Sequence, residues 1–216
     1  MNKSVVVLGA GGHARVIVGL LREQGYSVEA LIAPTLAECP ELAGLRHYVN
    51  DSDIELFSSH SIKIVNAVGS LPRQFNLRKK LFIEAREKDY SFETLVDSSA
   101  IVSQFANLQM GVQVLPGAIL NGCTIGENTI INSGAIVEHD VSIGSHCHIA
   151  PGAIICGDVQ VGNDVHIGAG ATLIQGVKVG HGAIVGAGAI LTQDLDANDT
   201  LYPARSVAQS ALKEGR

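Results

Sequence analysis

The hydrophobic pattern of the chain changes once, near residue 100. Before that point apolar runs and helical spacings alternate. Ser4–Leu8 is an unbroken run suited to a buried parallel strand, the glycine turn 9-GAGGHA-14 follows, and Val16, Ile17, Leu20 and Leu21 then recur at helical spacing over residues 14–24. The runs 27-SVEALIA-33 and 62-IKIVNAVG-69 predict two further strands, and residues 73–88 a second helix, which together make a small α/β unit.

Beyond that point the period is six. Counting from Ile119, every sixth residue through Leu191 is a branched aliphatic, and the residue four further on is Cys, Thr, Ala, Val or, once, Leu. Val102, Leu108, Val114 and Leu120 keep the period in a phase displaced by one residue, which predicts a slip near 121-NGCT-124. A six-residue period cannot pack as a helix of about 3.6 residues per turn. It suits a parallel β-helix, in which each hexapeptide is one short strand and a corner and three of them close a triangular coil. Glycines such as those of 168-GAG-170 and 186-GAG-188 supply corners. Residues 101–195 then make roughly five coils of 18 residues around a core one side chain thick. The expected domains are a Rossmann-like α/β unit over 1–95, an all-β parallel β-helix over 96–200 and a tail over 201–216.

Composition narrows the partners. The chain has 216 residues, 46% of them hydrophobic, ample for a buried core. A net charge of −6, from 15 basic and 21 acidic residues, offers no electrostatic footprint for nucleic acid or an anionic membrane. The four cysteines have no C-x-x-C spacing and read as small buried hydrophobes in a reducing compartment. The N-terminal apolar run is too short for a signal peptide, and no stretch reaches the ~18 apolar residues of a membrane span, so a cytoplasmic protein without membrane insertion is expected. In the glycine loop, Ala14 takes the place of the third glycine of G-x-G-x-x-G, and 32-IAPT-35 ends the second strand without a ribose-binding carboxylate. A dinucleotide site is therefore not expected. The loop either only permits a tight turn or turns helix N-terminal amides toward a phosphate.

Titratable chemistry is concentrated in 136-IVEHDVSIGSHCHIAPGAIICGDVQVG-162, which holds three histidines, two aspartates and a glutamate among aliphatics and glycines. His139 is flanked by Glu138 and Asp140, carboxylates that favour the imidazolium and orient the ring, as a general base requires. His139 and Gly157 are 18 residues apart, one coil, and so should stack; His148 and His166 form another such pair. His146, His166 and His181 read as hydrogen-bonded surface residues of the wall, and Cys147 and Cys156 as packing groups rather than nucleophiles.

The hexapeptide array, joined to 7-VLGAGGHARVI-17 and to 137-VEHDVSIGSHCHIAPGAIICG-157, resembles over nearly the whole chain a family of bacterial sugar acetyltransferases. These pair an N-terminal Rossmann-like domain with a left-handed β-helix and acetylate a nucleotide-linked amino sugar or sialic acid. The resemblance implies an acetyl-CoA-dependent N-acetyltransferase of glycan biosynthesis acting on a UDP-4-amino-sugar type of substrate. It also implies a homotrimer, no metal, and an acetyl-CoA cleft between neighbouring prisms. It makes His139 the general base, Asp140 its acidic support where the family usually carries Glu, and Gly157 the amide that faces the thioester oxygen. His148 is then a contact of the thioester region, Ala169 and Ala187 face pantetheine, and Arg205 in 201-LYPARS-206 is available to the CoA phosphates, as is Lys178. Gly11, Gly12, His13 and Gly69 match the loops that hold the nucleotide sugar. Arg73 either meets a phosphate or lies on a solvated helix face. Ala33 and Pro34 replace the acidic pair that reads uridine and ribose, which leaves the nucleotide open.

Three alternatives differ in chemistry. The same base could activate a hydroxyl, giving O-acetylation of sialic acid or a related sugar. A zinc hydratase of the γ-carbonic-anhydrase type shares the β-helix but needs converging histidines, including a close H-x-x-x-x-H pair that is missing here. A purely structural β-helix would have no use for the cluster around His139.

Overall fold

The computed structural model describes residues 3–72 and 76–204. Its first part is a parallel sheet of order β3-β2-β1-β4, with β1 Lys3–Leu8, β2 Tyr26–Ile32, β3 His47–Tyr48 and β4 Lys63–Asn66. β1 is central because Val5, Val6, Val7 and Leu8 are all apolar and at most 2% exposed, as a strand covered on both faces requires. Val5 and Val7 face helix α1, Gly12–Glu23; Val6 and Leu8 face helix α2, Asn76–Glu87. The buried stripe of α1 is Ala14, Ile17, Val18 and Leu21, spaced i, i+3, i+4, i+7. Val16 falls off that stripe and is exposed, a correction to the sequence expectation. The sequence pattern also predicts neither the two-residue β3 nor the short 3₁₀ helix Asp51–Leu56, because elements this short carry no period.

From Leu95 to Leu201 the chain winds as a parallel β-solenoid of two-residue strands on three walls of five, seven and six strands. That makes six coils rather than five, because the winding begins at Leu95–Val96 and ends at Thr200–Leu201. Wall partners are 18 residues apart, as in Ile130↔His148 and Ile136↔Ile154. The predicted slip is real: Asn107↔Thr124, Gln113↔Ile130 and Ile119↔Ile136 are each 17 apart. It lies in the corner between Ile119–Leu120 and Thr124–Ile125, which is one residue shorter than the next one. Consequently Leu120 points into the core, and Ile119, the first member of the six-residue count, does not.

Each hexapeptide sends two side chains inward, a large one such as Val137 and a small one such as Ala135, both fully buried. Truncating one of the large ones to alanine would cost about 2–5 kcal/mol. The corners turn at left-handed residues, several of them short and polar: Asn128 (φ 56), Asp140 (φ 61), Asp158 (φ 59) and Asp164 (φ 58). Side chains of this kind tolerate that conformation best after glycine.

The α/β unit is seated on the seven-stranded wall. Leu95, Leu115 and Ile130 belong to the same apolar cluster as Val5, Val7 and α1, and Lys79 Nζ pairs with Asp164 Oδ2 at 2.7 Å. No described helix is long and apolar enough to cross a membrane.

Candidate active site

The six-stranded and five-stranded walls meet in an edge made of stacked corners. Residues 138–141 form one and residues 156–159 the next. The left-handed turn at Asp140 throws His139 outward, its side chain 65% exposed. His139 Nδ1–H donates to Asp140 Oδ2 at 2.8 Å, which leaves Nε2 as the lone-pair nitrogen. The ring lies over Gly157: a Cβ there would sit 2.8 Å from Cε1 and 2.9 Å from Nε2, so no larger residue fits without displacing the imidazole. The hydrogen bond to Asp140 raises the His139 pKa, and the charges of Asp140, Glu138 and Asp158 add to it. Asp158 N–H donates to the His139 carbonyl at 3.0 Å, whereas among the described residues no acceptor takes the Gly157 N–H. A basic nitrogen beside an unengaged amide is the pairing that acyl transfer needs.

A cavity of about 650 Å³ opens at the carboxyl ends of β1, β2 and β4, lined by Gly11, Gly12, His13, Ala33, Gly69 and Leu77 among others. The chain leaves β1 for β2 on one side and has β4 on the other, the switch point at which open parallel sheets bind ligands. Gly9 is required by the fold, with φ +103 and a Cβ position 3.0 Å from the Ala67 carbonyl. Gly11 and Gly12 are not: a Cβ at either would meet nothing within 4 Å, so their bareness serves the cavity and not the packing. α1 begins there with no side-chain cap and no acidic residue in its first turn, leaving its amides and dipole to an anion. No described carboxylate lines the cavity; Ala33, Pro34 and Thr35 stand at the end of β2. A smaller cavity of about 350 Å³ between the 3₁₀ helix and α2 holds none of the groups singled out by sequence.

His13 and His148 tie the two parts together. His13 Nε2–H donates to Gln113 Oε1 at 2.9 Å, and burial, reinforced by the Arg78 charge, holds its pKa down to about 4. His148 Nδ1–H donates to the Ser70 carbonyl at 2.7 Å, and its Nε2 accepts from Asn132 Nδ2 at 3.0 Å. Burial lowers its pKa too, with Arg78 adding to the effect. The stacking expected of His148 and His166 is present, the rings crossing edge to face at 5.0 Å. His166 is not the surface residue expected; it is 7% exposed, and burial followed by His148 pushes it down to about 4. His146 is half-buried against Asn128 Nδ2, and His181 is exposed, 3.5 Å from Asp164. Burial pushes the Cys147 thiol up to about 12, which fits packing and not nucleophilic chemistry.

Within one chain His139 and His148 do not share a site. His148 lies on the seven-stranded wall, and His139 lies on the edge opposite that wall. Ala169 and Ala187 are exposed on a third place, the edge joining the seven-stranded and six-stranded walls, and Asn132 belongs to the same edge. The tail reaches this edge as well, since a Cβ on Gly186 would lie 2.8 Å from Pro203 Cδ. Arg73 and Arg205 lie outside the described residues. Sequence reasoning missed Arg78, Gln113, Asn66 and Asn132. Of these only Arg78 left a signal, a cation spaced with Leu81, Phe82 and Ala85 on an otherwise apolar stripe. Among the described residues no group of three or more side chains could hold a metal ion.

The bacterial transferase hexapeptide (six repeats) family matches residues 122–157 and 158–193. A histidine mutant of perosamine N-acetyltransferase from Caulobacter crescentus, in complex with CoA and GDP-perosamine, is 34% identical. It superposes with a TM-score of 0.83 over 91% of this chain and 92% of that chain. The acetyltransferase domain of PglB from Neisseria gonorrhoeae, in complex with acetyl coenzyme A, is 26% identical, with a TM-score of 0.85 over 96% of this chain and 100% of that chain. WeeI from Acinetobacter baumannii shares the fold at 24% identity and a TM-score of 0.79, over 91% and 95% of the two chains. Functionally curated sequences give no match.

Proposed function

The chain belongs to the bacterial hexapeptide-repeat sugar acetyltransferases, and we propose that it transfers acetyl from acetyl-CoA to the amino group of a nucleotide-linked amino sugar. The observation that carries this is the exposed His139 imidazole, its pKa raised by Asp140, packed on Gly157, whose amide is unengaged. The amine attacks the thioester carbon directly. Nε2 removes the amine proton, Asp140 holds the ring and favours its protonated form, and the Gly157 N–H stabilises the developing oxyanion. The C–N bond forms, the C–S bond breaks, and the proton held by His139 is available to the departing thiolate. The α/β unit over 1–95 serves as the Rossmann-like nucleotide-sugar domain, with the diphosphate against the amides of Gly11 and Gly12 and the sugar near Gly69. Residues 96–200 are read as a left-handed β-helix and 201–216 as a C-terminal tail, of which 205–216 lie outside the described residues. The Caulobacter crescentus perosamine N-acetyltransferase is seen in complex with CoA and GDP-perosamine, which makes a GDP-linked amino sugar one candidate. A cytoplasmic location is the reading that fits both co-substrates.

The site is completed by a second copy. The outward residues of the six-stranded wall are Ile101, Ile119, Ile136, Ile154, Thr172 and Ile190, of which Ile101 and Ile190 are 63% and 65% exposed. The five-stranded wall offers Asn107, Thr124, Ser142, Gln160 and Lys178 instead, and the seven-stranded wall carries the α/β unit. One apolar wall on a triangular prism favours closed cyclic packing of three copies with that wall toward the axis. The two edges of the wall then meet their opposites: His139 of one copy faces the Asn132, Ala169 and Ala187 edge of the next, beside His148 and the cavity.

A panel of GDP-, UDP- and dTDP-linked amino sugars with acetyl-CoA, followed by thiol release and product mass, tests the assignment. His139→Ala should lower kcat by about 10²–10⁴ while acetyl-CoA affinity is kept. No acetylated product from any sugar, or a fully active His139→Ala, would overturn it.

A further inference from the structure

Arg78 occupies a position where the stripe of α2 asks for an apolar residue. It is spaced i, i+3, i+4, i+7 with Leu81, Phe82 and Ala85 and is 3% exposed. A buried guanidinium ordinarily meets a carboxylate. Among the described residues Arg78 meets carbonyls instead: Nη1 donates to Asn66 O at 2.6 Å and Val68 O at 2.8 Å, and Nε donates to Asn128 O at 3.2 Å. Its Nη2 is buried without an acceptor. Burial holds its pKa down to about 9, so it remains a cation at neutral pH.

The three carbonyls belong to two parts of the molecule. Asn66 and Val68 lead from the end of β4 to Gly69 and Ser70, and Asn128 is a corner of the solenoid. Asn66 returns the contact, its Nδ2 donating to the Arg78 carbonyl at 2.9 Å and to Asn128 Oδ1 at 3.2 Å, while Gln113 Nε2 donates to the Asn66 carbonyl at 2.7 Å. The loop so held ends at Ser70, whose carbonyl accepts from His148 Nδ1–H at 2.7 Å.

We propose that Arg78 is a positioning residue of the acetyl-transfer site: by clamping the carbonyls of Asn66, Val68 and Asn128 it fixes the loop of Gly69 and Ser70 to the solenoid, and through the Ser70 carbonyl it sets the orientation and Nδ1–H tautomer of His148. This rests on the reading of Gly69 and His148 as parts of that site. Packing alone does not require the guanidinium, since a methionine would fill the stripe; what a methionine cannot replace is the donor to three buried carbonyls. The charge has a second consequence. The titratable groups around His148 are Arg78 from α2, His13 from α1 and His166 from the next coil, all basic, so His148 stays neutral and keeps Nε2 as an acceptor for Asn132.

The test uses the full chain carrying Arg78→Met or Arg78→Lys, with ¹⁵N imidazole resonances of His148 recorded against pH alongside steady-state kinetics. In the wild type His148 should be a neutral Nδ1–H tautomer that titrates below the ordinary histidine range. In Arg78→Met the fold should hold with a lowered melting temperature, because buried carbonyls lose their donor, while the tautomer becomes mixed, the His148 pKa rises and kcat/KM for the nucleotide sugar falls tenfold or more. A folded Arg78→Met with wild-type His148 resonances and kcat/KM would overturn the proposal. If that variant does not fold, Arg78→Lys decides, because it keeps the charge but cannot span three carbonyls: a mixed tautomer with a tenfold loss supports the clamp, and unchanged resonances and kinetics refute it. Should the wild type acetylate none of the sugars, the functional reading falls, while the His148 resonances still report whether Arg78 sets the tautomer.

Discussion

The imidazole of His139 rests directly on Gly157, with Nε2 only 2.9 Å from where a Cβ would be. Gly157→Ala should therefore push the ring off the amide without removing the N–H and without backbone strain, since residue 157 is not in the left-handed region. We expect an unchanged melting temperature and a loss of kcat of about 10²-fold, within the range of a misplaced general base. Equal kcat for Gly157→Ala and wild type in a thiol-release assay would show that the stacked geometry is not the reactive one.

Asp140 has a backbone that favours aspartate or asparagine, with φ 61, so Asp140→Asn isolates the charge from the fold. His139 is raised first by its hydrogen bond to Asp140 and then by nearby carboxylate charge. Losing that anion lowers the imidazole pKa, so the acidic limb of the pH–rate profile should move to lower pH and kcat should fall less than in His139→Ala. An unmoved acidic limb would assign the support to Glu138 instead.

The isoleucine wall predicts an assembly-linked loss of activity. Ile154→Glu places a charge in the middle of the apolar ladder, beside Ile136 and Thr172, without touching the core. Sedimentation should show a trimer for the wild type and folded monomers for the variant, with acetyl transfer reduced at least tenfold because His139 no longer reaches a neighbouring cavity. A monomeric variant with full activity would place the whole site in one chain.

Acid stability follows from His13 and His166, both held at about 4 against an ordinary 6.5. The fold keeps them neutral and the unfolded chain protonates them, so the unfolded state binds more protons between these values. Stability is complete above about pH 6.5 and falls as pH drops through the window, by roughly 1.4 kcal/mol per pH unit for each histidine. Thermal melts from pH 7.5 to 4.5 should show this decline, shallower in His166→Gln. A flat melting temperature across that range would contradict the buried neutral assignment.

In the solenoid, sequence separation is spatial adjacency, because each coil repeats the last. For that reason the period of six, the slip beside Gly122 and the stacking of His139 on Gly157 or of His148 on His166 are all legible in the residues alone. The slip also shows the limit of counting, since Ile119 fits the period by coincidence while Leu120 fills the core. What depends on where the α/β unit docks has no period to announce it. The engagement of His148 by Ser70 and the clamp of Arg78 on the Asn128 carbonyl arise from contacts between segments far apart in the chain. The separation of His139 from His148 is likewise decided by the prism, because three walls put a corner and the facing wall on opposite sides of the core however close they are in sequence.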